Sequence, residues 1–463
     1  MQHIILFLSY LSTGSALFFP YVYPRIKFEA DSSNFAGKPL FLTPFLKQGL
    51  IELAQNLSRV SITEYMGFTS HSGFFTIDPE INSNLFFWYF PPFNKDPNAP
   101  VTLWLQGGPG GSSLFGLFTE LGPLTADKEG IRRRKIHWAL NSHLIFIDNP
   151  VGTGFSFTNN ESGYCTDEKC VAVGLYNCLQ QFFTLFPKLR NNEFFITGES
   201  YAGKYIPALG MEIHKRKDTY DGGAPINLSG MAIGNGYCDP VNQLDYGNYL
   251  YQHGLLDDNQ RTTFENLQSK LMREINIGNW SKADMLMDLL MDGELRNFSY
   301  FKNYTGYNYY YNFLNTSDDE DMSIFATLLQ NVKIRKSIHV GGLPFQSGEQ
   351  VQIHLALDML KSVAPMVAEL LSHYRILIYS GQLDIVVAYP LTVNFLRNLQ
   401  FSAATEYKMA PRKVWRVGSD LAGYIKKAGN LTELLVRNAG HMVPHDQPKW
   451  AFEMITSFIQ NTL

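Results

Sequence analysis

The sequence predicts a doubly wound α/β fold: a mostly parallel β-sheet, helices packed on it, and one helical insertion. Two observations carry this. Short apolar runs at 101–106, 143–148, 193–198 and 230–234 read as buried strands, with helical patterns between them. Small or titratable residues follow several of these runs at once, where open parallel sheets keep their sites. With 463 residues, 45% apolar and 17% charged, the chain can bury a large core. A net charge of −4 argues against nucleic acid as a partner.

Residues 1–16 read as a secretory signal, with an apolar stretch opening at Ile4-Ile5-Leu6-Phe7-Leu8 and small residues at Thr13-Gly14-Ser15-Ala16. Residues 17–237 are expected to form the first part of the core, beginning with a variable lead-in to about 60. Gly73 to Phe90 reads as a hairpin turning at Asp78-Pro79. The run Val101-Thr102-Leu103-Trp104-Leu105-Gln106 ends in Gly107-Gly108-Pro109-Gly110-Gly111. Such a loop can aim backbone N–H groups at one point, as an oxyanion hole requires. A phosphate-binding loop would need Gly-Lys-Ser/Thr at its end, and no lysine is there. Asp148 ends the next strand beside Asn149-Pro150 and reads as a structural carboxylate capping the loop.

Phe194-Phe195-Ile196 leads into Gly198-Glu199-Ser200-Tyr201-Ala202, and Gly203 opens a helical pattern through Met211 and Ile213. A serine on a tight strand-to-helix turn is a nucleophile elbow, although alanine stands at its second glycine position. Residues 238–330 change character and are expected to form a helical cap. Asp257 and Asp258 precede a stripe of Phe264, Leu267, Leu271 and Ile275, and five tyrosines crowd between Tyr304 and Tyr311. Residues 331–463 are expected to complete the core. There, Ile376-Leu377-Ile378-Tyr379 precedes Asp384, and Leu434-Leu435-Val436 precedes His441. The order Ser200, Asp384, His441 is that of the α/β-hydrolase fold. His445 is the rival base and reads as a surface or supporting residue.

Five segments together resemble the serine carboxypeptidase family. They are Trp104 to Gly110, Ile147 to Ser156, Gly198 to Tyr205, Gly381 to Asp384 and Gly440-His441-Met442-Val443-Pro444. Gly111 stands where many members have cysteine and Gln106 where many have asparagine, which resembles the vitellogenic-carboxypeptidase-like branch. The resemblance implies that Ser200 attacks the last peptide carbonyl, His441 carries the proton and Asp384 orients the imidazole. It implies oxyanion donors at the N–H groups of Gly108 and Tyr201. It also implies that Gln106, Glu120 and Glu199 hold the substrate's terminal carboxylate, one glutamate staying protonated, so that activity is favoured at acidic pH. An esterase or acyltransferase on the same scaffold, and a non-catalytic binding role, remain alternatives.

Four cysteines, Cys165, Cys170, Cys178 and Cys238, suit an oxidising compartment, and Cys165–Cys170 with Cys178–Cys238 is the expected pairing. Asn56, Asn160, Asn227, Asn279, Asn297, Asn303, Asn315 and Asn430 lie in Asn-x-Ser/Thr sequons. A secreted or lysosomal glycoprotein is therefore expected, acting on peptide or protein C-termini, with no membrane span; a homodimer is compatible with the sequence. No cofactor and no metal is expected, because no Cys/His spacing suits zinc. The basic runs Arg132-Arg133-Arg134-Lys135 and Lys215-Arg216-Lys217 read as solvated faces.

Overall fold

The computed structural model describes Phe28 and residues 34–217, 223–317 and 320–463. The predicted signal at 1–16 lies outside the described residues. Ten strands form the main sheet: β1 (His71–Asp78), β2 (Ser83–Phe90), β3 (Val101–Leu105), β4 (His143–Ile147), β5 (Phe194–Glu199), β6 (Leu228–Gly234), β7 (Arg375–Gly381), β8 (Lys413–Val417), β9 (Asp420–Ala428) and β10 (Leu431–Val436). Their order across the sheet is β1-β2-β4-β3-β5-β6-β7-β10-β9-β8. The strands from β4 through β3, β5, β6 and β7 to β10 run parallel, and antiparallel pairs close both edges.

The apolar runs explain the centre. Every residue of β3, β4 and β5 is buried, as a strand covered on both faces requires. Helix α1 (Glu168–Leu185) connects β4 to β5, and helix α2 (Ala202–Arg216) connects β5 to β6. After β3 the chain moves outward to β4, then returns to place β5 on the other side of β3. That reversal opens a crevice at the C-terminal ends of β3 and β5. The glycine loop and the Ser200 elbow stand on its two sides.

Between β6 and β7 the chain is helical. Helix α3 (Asp258–Asn276) carries the anticipated stripe, with Phe264, Leu271 and Ile275 buried. Asp257 and Gln260 form a reciprocal capping box at its start. Further helices span Trp280–Met287, Tyr300–Thr305, Val332–Ser337, Glu349–Leu355 and Ala364–Leu370. The outer strands β8 and β9 escaped the sequence reading. Alternate residues of β8 are exposed, and its lysine, arginine and short length hide the apolar face. A small hairpin, Leu124–Asp127 with Gly130–Arg133, escaped it as well.

One expectation fails. Cys165 and Cys170 form a disulfide, but Cys178 and Cys238 are both free and buried. Cys178 sits on the buried face of α1. The Cys238 thiol instead donates to the Gly203 carbonyl at 3.2 Å, on the first turn of α2. Burial raises both thiols far above their usual pKa, which keeps them inert. Denatured without reductant, the protein should therefore titrate two thiols per chain with a chromogenic disulfide, and the native protein none in the same interval. A denatured chain with no titratable thiol would show that the second bond forms.

Candidate active site

Ser200 closes β5 with φ of 62°, in the left-handed region that costs a non-glycine residue roughly 1–3 kcal/mol. Its backbone is fastened three times. Its N–H donates to Gly234 O at 2.9 Å, and its carbonyl accepts from the N–H groups of Gly203 at 2.9 Å and Tyr237 at 3.0 Å. The departure from the elbow consensus has a steric reason. A Cβ on Gly203 would sit 2.7 Å from Tyr237 N, and one on Gly198 would sit 2.2 Å from Leu105 O. The position needing a glycine is thus 203, and Ala202 fits before it.

Asp384 and His441 meet, with Nδ1 2.9 Å from Oδ2 and both side chains fully buried. The Asp384 carboxylate also accepts from Asn235 Nδ2 at 2.7 Å, Val386 N at 3.0 Å and Val387 N at 3.2 Å. The insertion grips both loops by its backbone. Tyr311 O accepts from His441 N–H at 2.6 Å, and Tyr310 O accepts from Ile385 and Val386 N–H at 3.1 Å each. Ser200 Oγ and His441 Nε2 are buried and, among the described residues, make no hydrogen bond to each other or to another group. Unliganded enzymes commonly leave that contact to be closed by substrate. Asn235 is the residue that sequence reasoning missed. Its φ of 41°, its amide on Asp384 and its Oδ1 accepting from Gly381 N–H at 3.1 Å tie β6 to the Asp384 loop. The signal was Gly234-Asn235-Gly236 just past a strand.

The glycine loop lies along the elbow. A Cβ on Gly107 would be 2.6 Å from Tyr201 N, so the Gly107–Gly108 backbone runs beside the turn. Gly108 has φ of 118° and Gly110 of 85°, values for which glycine is suited. Asp148 supports the loop from below, as anticipated. It accepts from Ser112 Oγ at 2.6 Å, Ser113 N at 3.1 Å and Phe155 N at 2.9 Å, and burial pushes its carboxyl up to about 6. His445 is exposed, with Nδ1 3.0 Å from Thr119 O, and does not reach Asp384.

Gln106, Glu120 and Glu199 come together, all buried. Gln106 Nε2 donates to Glu120 Oε1 at 3.0 Å and to Glu199 Oε1 at 2.8 Å, while its Oε1 accepts from Trp104 Nε1 at 2.7 Å. The longer glutamine side chain therefore spans both carboxyls. Burial pushes Glu120 up to about 7; hydrogen bonds to Gln106 and Glu199 and the Arg134 charge pull the other way. Arg134 was read as surface. It is half-buried and donates to the carbonyls of Phe118 at 2.6 Å and Gly122 at 3.1 Å. Its neighbours do face outward: Arg132 pairs with Asp127 and Glu129, and Arg133 lies over Phe68 and Phe93.

A ten-stranded, largely parallel sheet with this strand-end arrangement defines an α/β hydrolase. The chain belongs to the serine carboxypeptidase family, whose model matches residues 61–461. It is 48% identical to the venom serine carboxypeptidase of Apis mellifera, over 96% of each chain. It is 49% identical to the vitellogenic carboxypeptidase of Aedes aegypti, over 91% of this chain and 90% of that one. A probable serine carboxypeptidase of Homo sapiens, CPVL, is 44% identical over 92% and 90%. Among solved structures, the prohormone-processing carboxypeptidase Kex1 of Saccharomyces cerevisiae shares the fold, with a TM-score of 0.73 at 23% identity over 88% of this chain and 95% of that chain. The protein is accordingly a hydrolase of the serine carboxypeptidase class.

Asn235→Gly keeps the left-handed backbone and removes both side-chain bonds. It should lower kcat by about 10- to 100-fold with KM little changed, well short of the ~10⁴-fold loss when a triad aspartate is replaced. Steady-state kinetics on one peptide substrate decides this, and an unchanged kcat would exclude the positioning role.

Proposed function

We propose that the enzyme releases the C-terminal amino acid from peptides through an acyl-enzyme on Ser200. Ser200 Oγ attacks the last peptide carbonyl, and His441 Nε2 takes its proton and then gives it to the leaving amine. Asp384 holds Nδ1–H and so keeps Nε2 free to act as base. The N–H groups of Gly108 and Tyr201 stabilise the tetrahedral oxyanion, each donor being worth about 3–4 kcal/mol in other hydrolases. The start of α2 just behind Ser200 favours the same negative charge.

The observation that carries exopeptidase action is the buried Gln106–Glu120–Glu199 cluster, with Glu199 adjacent to the nucleophile in the chain. Two ionised glutamates would repel a substrate carboxylate there, whereas a protonated carboxyl donates it a hydrogen bond. Glu120, pushed up to about 7, keeps that proton in acid and loses it as pH rises through neutrality. The bond to the substrate carboxylate is then replaced by repulsion. Peptidase efficiency should accordingly decline from about pH 5 to above 7, chiefly through KM, and Glu199→Gln should flatten that decline. A Gln variant with the wild-type pH dependence of KM would refute this account.

The residues from 238 to 330 are read as a cap over the crevice, since its Tyr310 and Tyr311 carbonyls clasp the Asp384 and His441 loops. Passage through the secretory pathway to a lysosomal or extracellular destination is supported by the disulfide and by eight sequon asparagines that are all exposed. Among the described residues no helix is long and apolar enough to cross a membrane. The deciding test is incubation with an N-blocked dipeptide at pH 5, with and without a fluorophosphonate. Release of the C-terminal amino acid, abolished by labelling and reduced ~10⁴-fold or more in Ser200→Ala, is expected. Labelling with ester turnover but no peptide cleavage would favour an esterase instead.

A further inference from the structure

We propose that Arg134 is the resident cation of the carboxylate-binding site: it clamps the turn that carries Glu120 and offsets the negative charge brought by a bound peptide C-terminus. The proposal rests on the reading of Gln106, Glu120 and Glu199 given above. Its basis is geometric. Arg134 holds Phe118 O, Gly122 O and, through its own backbone N–H at 2.9 Å, Pro123 O. Two of these carbonyls lie two residues before and two residues after Glu120, so the guanidinium straddles that residue's backbone. The planar fork of an arginine, with several donors in fixed directions, suits it to holding two carbonyls on either side of one residue.

The charge arrangement points the same way. Glu120 is faced by Glu199 at the end of β5, Tyr379 on β7, Asp446 at the end of the short helix Val443–Asp446, and Arg134 just after the strand Gly130–Arg133. His445, beside Asp446, reaches the carbonyl of Thr119. Most of these groups are acids, and burial raises Asp446 as it raises Glu120. Adding a substrate carboxylate to buried acids carrying an unbalanced charge is strongly unfavourable. Arg134 is the member of this set that stays cationic at any working pH. The attraction is mutual, since burial lowers the Arg134 pKa and the Glu120 carboxyl raises it again.

Two effects follow from removing the charge, and their signs differ. Affinity for a free C-terminal carboxylate falls. Glu120, relieved of a neighbouring cation, keeps its proton to higher pH, so the descending limb of the pH profile moves up. A purely structural arginine would produce neither a carboxylate-specific loss nor a displaced limb.

The experiment compares wild type, Arg134→Gln and Arg134→Lys on an N-blocked dipeptide and on its C-terminal amide, with KM measured at pH 5 and kcat/KM measured from pH 4 to 8. Arg134→Gln should raise the ratio of KM for the free acid to KM for the amide about tenfold, with the limb shifted to higher pH. Arg134→Lys, which keeps the charge, should hold that ratio within about threefold of wild type. Equal KM changes on both substrates with an unmoved limb would overturn the proposal, as would a folded Lys variant that loses the preference as fully as Gln. If the Gln variant does not fold, Arg134→Met, which retains the packed stem, takes its place, and the Lys variant decides if neither neutral variant folds. A wild-type enzyme that releases no terminal residue from the free acid would overturn the carboxypeptidase reading itself, and this inference with it.

Discussion

A serine in the left-handed region at the end of a buried parallel strand is the constraint around which the molecule is arranged. Such a residue persists only where its surroundings over-determine it. Here three backbone hydrogen bonds fix it. Gly198 and Gly203 leave room for nothing larger than hydrogen toward Leu105 and Tyr237. The close approach of β3, β5 and β6 is therefore a condition of the elbow, and the elbow sets the position of Ser200 at the end of β5. The glycine loop follows from the same constraint, because only a residue without Cβ can pass beside Tyr201 N at position 107.

Asp384 and His441 arrive from further along the chain, on loops after β7 and β10. These loops are not self-supporting. The segment around Tyr310 and Tyr311 gives its carbonyls to Ile385, Val386 and His441, and Phe313 N–H donates to Leu383 O at 2.9 Å. Tyr249 OH adds a bond of 2.7 Å to Asp384 O. Residues of the helical insertion thus serve as backbone scaffolding for the pair. Asn235 completes the arrangement from the β6 side. The geometry of Asp384 and His441 is accordingly a joint property of sheet and insertion.

The carboxyl cluster shows how burial reverses ordinary charge logic. A glutamate in water would repel a peptide terminus. Packed against Glu199 and Gln106 with no solvent exposure, Glu120 has its carboxyl pushed up to about 7, which is the condition under which a carboxyl in acid can serve as a donor. Gln106, with its amide nitrogen shared between two carboxyls and its oxygen held by Trp104, fixes the orientation of both carboxyls.

The sequence alone determined the central sheet, the elbow, the glycine loop and the chain order of serine, aspartate and histidine. These are local signals: buried strands are continuous apolar runs, and tight turns need glycine at particular offsets. The outer strands β8 and β9 were illegible because a half-exposed strand with lysines and arginines carries no such run. Only the tertiary structure decided three other matters. It left Cys178 and Cys238 unpaired, each held in a different environment. It brought Asn235 and the tyrosine carbonyls onto the Asp384 and His441 loops. It turned Arg134 inward from a run whose neighbours face solvent. In each case the outcome depends on which distant backbone lies within hydrogen-bonding reach. That distance is set by packing of elements far apart in the chain, and no spacing within one segment encodes it.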